Sequence, residues 1–145
     1  MGNFYYFIGL IIFLANIGLL SKFKRIAKIK EWSSAFTKVA KKKPTKSDFK
    51  DKEYEELAAA NSILAINFFW LFFGLITKSW IIFLVLLSFN FIINLILKIF
   101  KEFSLLSIMI NFCKMVIINI SIGILVINHY HLHLNLAHVD FIPWW

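Results

Sequence analysis

All four histidines of the chain lie in its C-terminal segment, close enough in sequence to share a ligand. Polar and apolar residues alternate strictly over residues 128–136, which predicts a short strand with its first three histidines on one face. Neighbours on one face of a strand are about 6.5–7 Å apart, a separation that one divalent metal ion can bridge. The predicted metal ligands are His129, His131, His133 and His138. The metal content of the purified protein would test this prediction.

Other interpretations of this segment stay open. A helix would place His129 and His133 one turn apart, and the spacing matches no ligand pattern of a particular metal. A strand with unpaired backbone groups is also a docking edge for a partner protein. The histidines are therefore candidates for metal binding, for partner binding or for a plain surface role.

Lys114 lies near the middle of a long apolar run, and a lysine inside a membrane span is costly enough to indicate a function. On a helix it shares a stripe with polar residues of its own run, and two asparagines of the preceding run could face it. The predicted intramembrane polar site consists of Lys114, Asn111, Ser107, Ser121, Asn90 and Asn94.

The apolar runs of the chain contain no acid that could neutralise Lys114. Three explanations compete: an acid from a partner subunit, a water-filled cavity, or a lysine that burial keeps neutral. A fourth explanation needs no function, because a lysine can extend its side chain along the bundle to the membrane surface.

The elements that position these residues are predicted to be membrane helices. The chain of 145 residues is 60% hydrophobic, whereas a soluble domain is about 45–50% apolar. Its four apolar runs occupy residues 4–20, 63–77, 80–97 and 105–127. A helix needs about 17–25 apolar residues to cross the hydrocarbon core, and residues 57–61 can extend the short second run. The sequence predicts an all-α integral membrane protein with four transmembrane helices.

Small and polar residues recur at seven-residue spacing within these runs. Gly2, Gly9 and Asn16 share one face of the first helix, and Asn67 and Gly74 share one face of the second. Such residues mediate contacts between membrane helices. These faces are therefore predicted to turn inward and pack the spans into a bundle.

The basic residues predict the direction of the chain. Twelve of the 16 Lys and Arg residues lie between Lys22 and Lys52, and none precedes the first run. The positive-inside rule then places both termini outside the cytoplasm. The predicted organisation is transmembrane helices at residues 1–20, 61–78, 79–98 and 104–127, a cytoplasmic loop at residues 21–60, and an outer tail rich in His and Trp at residues 128–145. The expected location is a membrane crossed several times, such as a bacterial inner membrane.

Within the cytoplasmic loop, apolar residues from Ile29 onward recur at helical spacing, which predicts an amphipathic helix that Pro44 ends. The predicted lipid or partner surface consists of Lys28, Trp32, Phe36, Lys38, Lys41 and Lys42. Anionic headgroups would bind such lysines, although an ordinary solvated helix has the same pattern. Ser47 or Asp48 is predicted to cap a further helix that runs into the second span.

No sequence motif indicates an enzyme: phosphate-binding loops, zinc-protease motifs and paired intramembrane acids are all missing from the sequence. The leading hypothesis is a non-catalytic accessory or structural subunit of a larger membrane complex. The alternatives are a stand-alone membrane protein acting on ions or on a pore-forming toxin, and a metal-handling protein. The expected partners are the lipid bilayer and other membrane subunits, with no nucleic acid and no cofactor beyond the candidate metal.

Overall fold

The computed structural model describes residues 2–50, 52–100 and 103–133, and this part of the chain is helical with no strand. The α-helices are α1 (Gly2–Ser21), α2 (Phe23–Ala40), α3 (Glu53–Phe73), α4 (Trp80–Leu97) and α5 (Leu105–Ile127). Single turns of 3-10 helix occupy Lys46–Asp48 and Gly74–Ile76, and one turn of π-helix at Asn128–Leu132 continues α5.

Among the described residues, four helices are long and apolar enough to cross a membrane. They are Gly2–Ser21, Glu53–Ile76, Trp80–Leu97 and Leu105–Leu132. In hydrocarbon every backbone N–H and C=O must find a partner within the protein, so an uninterrupted apolar run of this length folds as a helix. The prediction of an all-helical chain with four spans is confirmed, and the chain has the architecture of a multi-pass membrane protein.

The four spans form a closed ring. Each packs against the next span in sequence, and α1 also packs extensively against α5. The order around the bundle is therefore α1, α3, α4, α5, with α1 and α5 antiparallel. The connection between α3 and α4 is tight, because the backbone N–H and the hydroxyl of Thr77 both donate to the Gly74 carbonyl, at 3.0 and 2.7 Å.

Aromatic side chains fill the end of the bundle at which α1 begins. The Trp70 ring stacks on Tyr5 with centroids 4.8 Å apart and meets the Phe83 ring edge-on at 5.3 Å. The Tyr5 hydroxyl donates to the Trp70 carbonyl at 2.7 Å, and the Trp70 indole N–H donates to the Tyr5 carbonyl at 3.1 Å. This reciprocal pair joins α1 to α3.

Two glycines allow these rings to approach the backbone. A Cβ atom on Gly9 would lie 2.5 Å from the Trp70 ring and 3.1 Å from Val126, and a Cβ atom on Gly74 would collide with the Phe83 ring. Both glycines belong to the stripes that the sequence predicts to face inward. The close packing of α1, α3 and α4 depends on their missing side chains.

Helix α2 follows α1 directly and packs against the first turns of α3. Arg25 Nε lies 2.8 Å from Glu56 Oε2, and the Trp32 ring packs on Phe49 with centroids 5.0 Å apart. These contacts fasten the basic helix to the start of the second span. We call the end of the bundle at which α1 gives way to the basic residues 22–30 the basic end.

The predicted helix cap at Ser47 or Asp48 is wrong. Thr45 instead opens a 3-10 turn, in which the Asp48 carboxylate accepts from the Thr45 N–H at 2.7 Å and from its hydroxyl at 2.9 Å. These hydrogen bonds lower the pKa of Asp48. Helix α3 begins only at Glu53, without a side-chain cap, and carries three glutamates in its first turn, where the helix dipole favours negative charge.

The predicted C-terminal strand is also wrong wherever the chain is described. Residues Asn128–Leu132 form the π-helical turn that prolongs α5, and His133 ends it in a left-handed conformation with φ 51°. The helix continues because its backbone groups keep their partners, and His133 N–H donates to the Asn128 carbonyl at 2.8 Å. Residues 134–145, including His138, lie outside the described residues.

Candidate functional site

The register between α1 and α5 determines the depth of Lys114. The pairs in contact are Gly9–Val126, Phe13–Gly123 and Phe23–Phe112. On this register Lys114 lies level with Ser21, the last residue of α1. Although Lys114 is near the middle of its own apolar run, it lies at the basic end of the bundle.

The neighbours of Lys114 on α4 agree with this depth. Lys114 Nζ donates to Asn94 Oδ1 at 2.8 Å, and Asn94 lies within one turn of the end of α4 at Leu97. The cost of a charge in a membrane falls steeply from the bilayer centre toward the surface. Lys114 therefore needs less compensation than a lysine at the bilayer centre would need.

Lys114 lies on the wall of a cavity of about 220 Å³ between the spans, which we call the polar cavity. Its polar lining residues are Asn16, Asn67, Asn90, Asn94 and Lys114. All four spans contribute to the cavity, and the exposed side chains of Phe68 and Asn94 mark its opening between α3 and α4. A polar space of this size holds several water molecules.

Asn16 and Asn67 form the buried wall of the polar cavity, and the sequence-based site did not include them. The amide of Asn16 donates to Asn67 Oδ1 at 2.8 Å, and the amide of Asn67 donates back to Asn16 Oδ1 at 2.7 Å. Both side chains are buried, with 4% and 9% of their surface exposed. Their seven-residue stripes with Gly9 and Gly74 were the signal that could have identified them.

Replacing Asn16 with leucine is expected to destabilise the bundle by about 1–2 kcal/mol, because the Asn67 amide then loses both of its hydrogen bonds to α1 and keeps only the one to the Ile63 carbonyl. The double variant Asn16→Leu, Asn67→Leu should recover part of this loss, since no unpaired amide remains. The unfolding free energies of wild type, of both single variants and of the double variant, measured in detergent, would give the three losses. Losses that simply add in the double variant would show that the two side chains are not coupled.

The remaining predicted polar residues do not join Lys114 in this cavity. Ser107 and Asn111 line a second cavity of about 260 Å³ between α2, α4 and α5, which we call the Lys30 cavity. Ser121 donates to the Ile117 carbonyl of its own helix at 2.9 Å. The single stripe predicted on α5 is therefore divided between two cavities and one local hydrogen bond.

Lys30 is a further cation of this region that the sequence-based site did not include. It lines the second cavity, and its burial lowers the pKa of its ammonium group. Lys30 is close enough to Lys114 for their charges to repel. Within residues 2–50, 52–100 and 103–133, neither lysine forms an ion pair with Asp or Glu. Two cations without an acidic partner among the described residues thus line the cavities at the basic end.

Of the three described histidines, His129 makes side-chain contacts at the opposite end of the bundle, and His131 and His133 are exposed. His129 Nε2 lies 2.8 Å from Asn3 Oδ1, the His129 ring stacks on Tyr6 at 4.2 Å, and the Tyr130 hydroxyl donates to the Asn3 carbonyl at 2.7 Å. These contacts tie the end of α5 to the start of α1. His138 is not among the described residues. Within those residues, no three potential metal ligands come together.

The residues of the predicted lipid surface, which lie on α2 and directly after it, differ in how far they are exposed. Lys28, Lys38, Lys41 and Lys42 are exposed, as a headgroup contact requires. Trp32 packs against both Phe36 and Phe49, and along the predicted apolar face Ile29 is buried whereas Val39 is 86% exposed. The lysines are accessible to anions, but the aromatic residues already pack on each other and on Phe49 in the connection to α3.

The groups at the basic end can bind an anion. Lys30 and Lys114 supply positive charge, and the amides and the Ser107 hydroxyl around them can donate hydrogen bonds to a carboxylate or phosphate oxygen. Searches for related proteins found no family model, no curated protein and no solved structure that matches this chain.

Proposed function

We propose that this protein is a non-catalytic accessory subunit that docks, through α4 and Lys114, against a membrane-spanning helix of a larger complex. The observation that carries the proposal is the charge of Lys114, which has a hydrogen bond to Asn94 but no carboxylate partner among the described residues. A buried or half-buried cation without a counter-ion is unfavourable, and a partner's acid would supply one.

The opening of the polar cavity determines where the partner would bind. Asn94 is exposed on α4 and reaches back to Lys114, so an acidic side chain that approaches α4 from outside would meet both groups. Charge complementarity at a fixed depth would select one partner helix and one register. The occupant of this surface is therefore a transmembrane helix with Asp or Glu near the basic end of the bundle.

Helix α4 has the free surface that such docking needs. Only 11% of its span is buried inside the chain, compared with 28–33% for the other three spans. The large side chains exposed on α4 include Leu84, Val85, Phe91, Ile92 and Leu95. Lipid covers such a face in the isolated chain, and van der Waals packing against a partner helix would replace that lipid.

The experiment that tests the proposal is purification of the tagged chain in mild detergent, followed by mass spectrometry of the proteins that accompany it. The expected result is a stoichiometric membrane protein with an acid in one span at the depth of Lys114. Recovery of the chain alone, from membranes in which the tag does not disturb its insertion, would contradict the proposal.

The polar cavity favours one second candidate, a stand-alone protein acting on ions or on a pore-forming toxin. Water and a fixed charge in a membrane cavity are features of ion pathways. The cavity does not continue through the bundle, however, because the layer of Tyr5, Trp70 and Phe83 fills the opposite end and Phe83 is fully buried. An ion pathway would therefore need several copies of the chain, and ion flux through reconstituted protein would reveal it.

We further propose that both termini face away from the cytoplasm and that α2 lies on the cytoplasmic side, as the positive-inside rule predicts. A cysteine at exposed Thr45, with Cys113 changed to serine, should react with a membrane-impermeant maleimide only after the cells are permeabilised. A cysteine added after Trp145 is the matched control and should react in intact cells. Labelling of position 45 in intact cells would reverse the orientation.

A further inference from the structure

The Lys30 cavity lies where the basic helix α2 meets the end of α4 and the beginning of α5. Its polar side chains are Lys30, Ser107 and Asn111, and its walls are apolar residues such as Ile26, Leu97 and Ile108. A lysine, a hydroxyl and an amide together provide one charged and several neutral hydrogen-bond donors around a volume of about 260 Å³. This donor set fits an oxyanion.

Charge at the cavity favours the same class of ligand. No acid among the described residues forms an ion pair with Lys30, and the positive charge of Lys114 lies close enough to repel it. Burial already disfavours the charged form of Lys30 and lowers its pKa. An anion in the cavity would offset both effects, because it would interact favourably with the two cations at once.

The surroundings of the cavity are apolar, which favours a lipid over a soluble anion as its occupant. Phe112 packs on Phe23 of the cavity wall, and Ile96 adjoins Leu97 of that wall. The Phe112 and Ile96 side chains lie on the bilayer side of the connection between α4 and α5, and they are 39% and 37% exposed. The depth is that of the membrane surface, since α4 ends at Leu97 and is followed by Lys98. A phospholipid could place its phosphate at Lys30 and its acyl chains on these side chains.

We propose that the Lys30 cavity is a binding site for a phosphate group, supplied by the headgroup of an anionic phospholipid. Lys30 forms the ion pair with the phosphate, and Asn111 and Ser107 donate hydrogen bonds to its oxygens. The side chains that would contact the phosphate line the Lys30 cavity and not the polar cavity, so lipid binding can be measured on the chain without its proposed partner subunit.

The test uses the full chain, delipidated in dodecyl maltoside and titrated with dioleoyl-phosphatidylglycerol while native mass spectrometry counts bound lipid. Wild type should bind one molecule more tightly than it binds dioleoyl-phosphatidylcholine. Lys30→Met should weaken this binding about tenfold or more, because it removes a charged hydrogen bond. Lys30→Arg retains the charge and should bind within about threefold of wild type, which keeps the test valid if the methionine variant folds poorly.

The matched control is Lys24→Met, which removes the same charge from an exposed position on α2 outside the cavity. Equal losses in Lys24→Met and Lys30→Met would mean general attraction to a basic surface, and would overturn the proposal. Glu102 lies outside the described residues, so a variant is needed to test whether it is the counter-ion of Lys30. A Glu102→Gln variant that binds lipid at least about tenfold more tightly would identify Glu102 as the counter-ion of Lys30, and would likewise overturn the proposal.

Inorganic phosphate distinguishes the two sources of the anion. If millimolar phosphate leaves lipid binding unchanged, the acyl chains contribute and the headgroup of a lipid is the ligand, as proposed. Displacement of the lipid by phosphate alone would show a site for free phosphate and would overturn the lipid assignment.

Discussion

Replacement of Lys114 with methionine is expected to weaken assembly with the partner subunit at least about a hundredfold, while membrane insertion stays normal. Removing one member of a buried ion pair costs about 3–5 kcal/mol, and each 1.4 kcal/mol corresponds to a factor of ten in affinity. Methionine has a similar volume, so the walls of the polar cavity stay in place. The measurement is the amount of partner recovered with the tagged chain, quantified by mass spectrometry.

Lys98→Met is the matched control for this prediction. Lys98 directly follows α4 and is exposed, so the change removes the same charge close by without touching the polar cavity. Lys114→Arg should retain much of the assembly, because it retains the charge. If Lys114→Met assembles normally but alters ion flux, the ion hypothesis replaces the subunit hypothesis. If assembly and flux are both unchanged, Lys114 is a lysine that extends to the membrane surface without a specific role.

The number of spans could be predicted from sequence because a membrane imposes a simple rule. Backbone polar groups have no solvent partner in hydrocarbon, so long apolar runs have few alternatives to the helix. Helix α4 begins at Trp80 and ends at Leu97, the same residues at which the apolar run begins and ends. The orientation of the spans is different, because it is defined relative to the two sides of a membrane and not by contacts within the chain.

The strand predicted over residues 128–136 failed because a short alternation is a weak signal next to a long helix. At the end of α5 the helix provides backbone partners for each added residue, whereas a lone strand has none. Side-chain contacts then stabilise the extra turn, since His129 and Tyr130 both reach Asn3. The same alternating pattern is compatible with a helix once α1 lies beside it.

The functional region was only partly predictable, because its geometry depends on contacts between distant segments. The sequence identified Lys114 and the polar stripe, but the depth of Lys114 follows from the register of α1 against α5. Lys30 was overlooked because α2 has the composition of a surface helix, and only the fold brings it beside Ser107 and Asn111. The residue types indicated a positive charge surrounded by hydrogen-bonding side chains, and helix packing distributes these residues between two cavities.

Trp70 is the side chain on which the packing of the spans depends most. Only 4% of its surface is exposed, and its ring contacts Tyr5, Tyr6 and Phe83. It also donates a hydrogen bond to the Tyr5 backbone and fills the space left open by Gly9. No other described residue combines ring stacking, a buried hydrogen bond and a glycine contact in this way.

Replacement of Trp70 with alanine is therefore expected to destabilise the protein by about 3–5 kcal/mol, through the loss of buried contacts and the cavity that remains. Trp70→Phe should cost less, because it retains one aromatic ring, although it loses the hydrogen bond to the Tyr5 carbonyl and part of the indole that packs on Gly9. Phe69→Ala is the matched control, since Phe69 lies next to Trp70 on α3 with 56% of its surface exposed. Unfolding free energies in detergent would compare the variants, and equal losses for Phe69→Ala and Trp70→Ala would contradict a central role for Trp70 in joining α1 to α3.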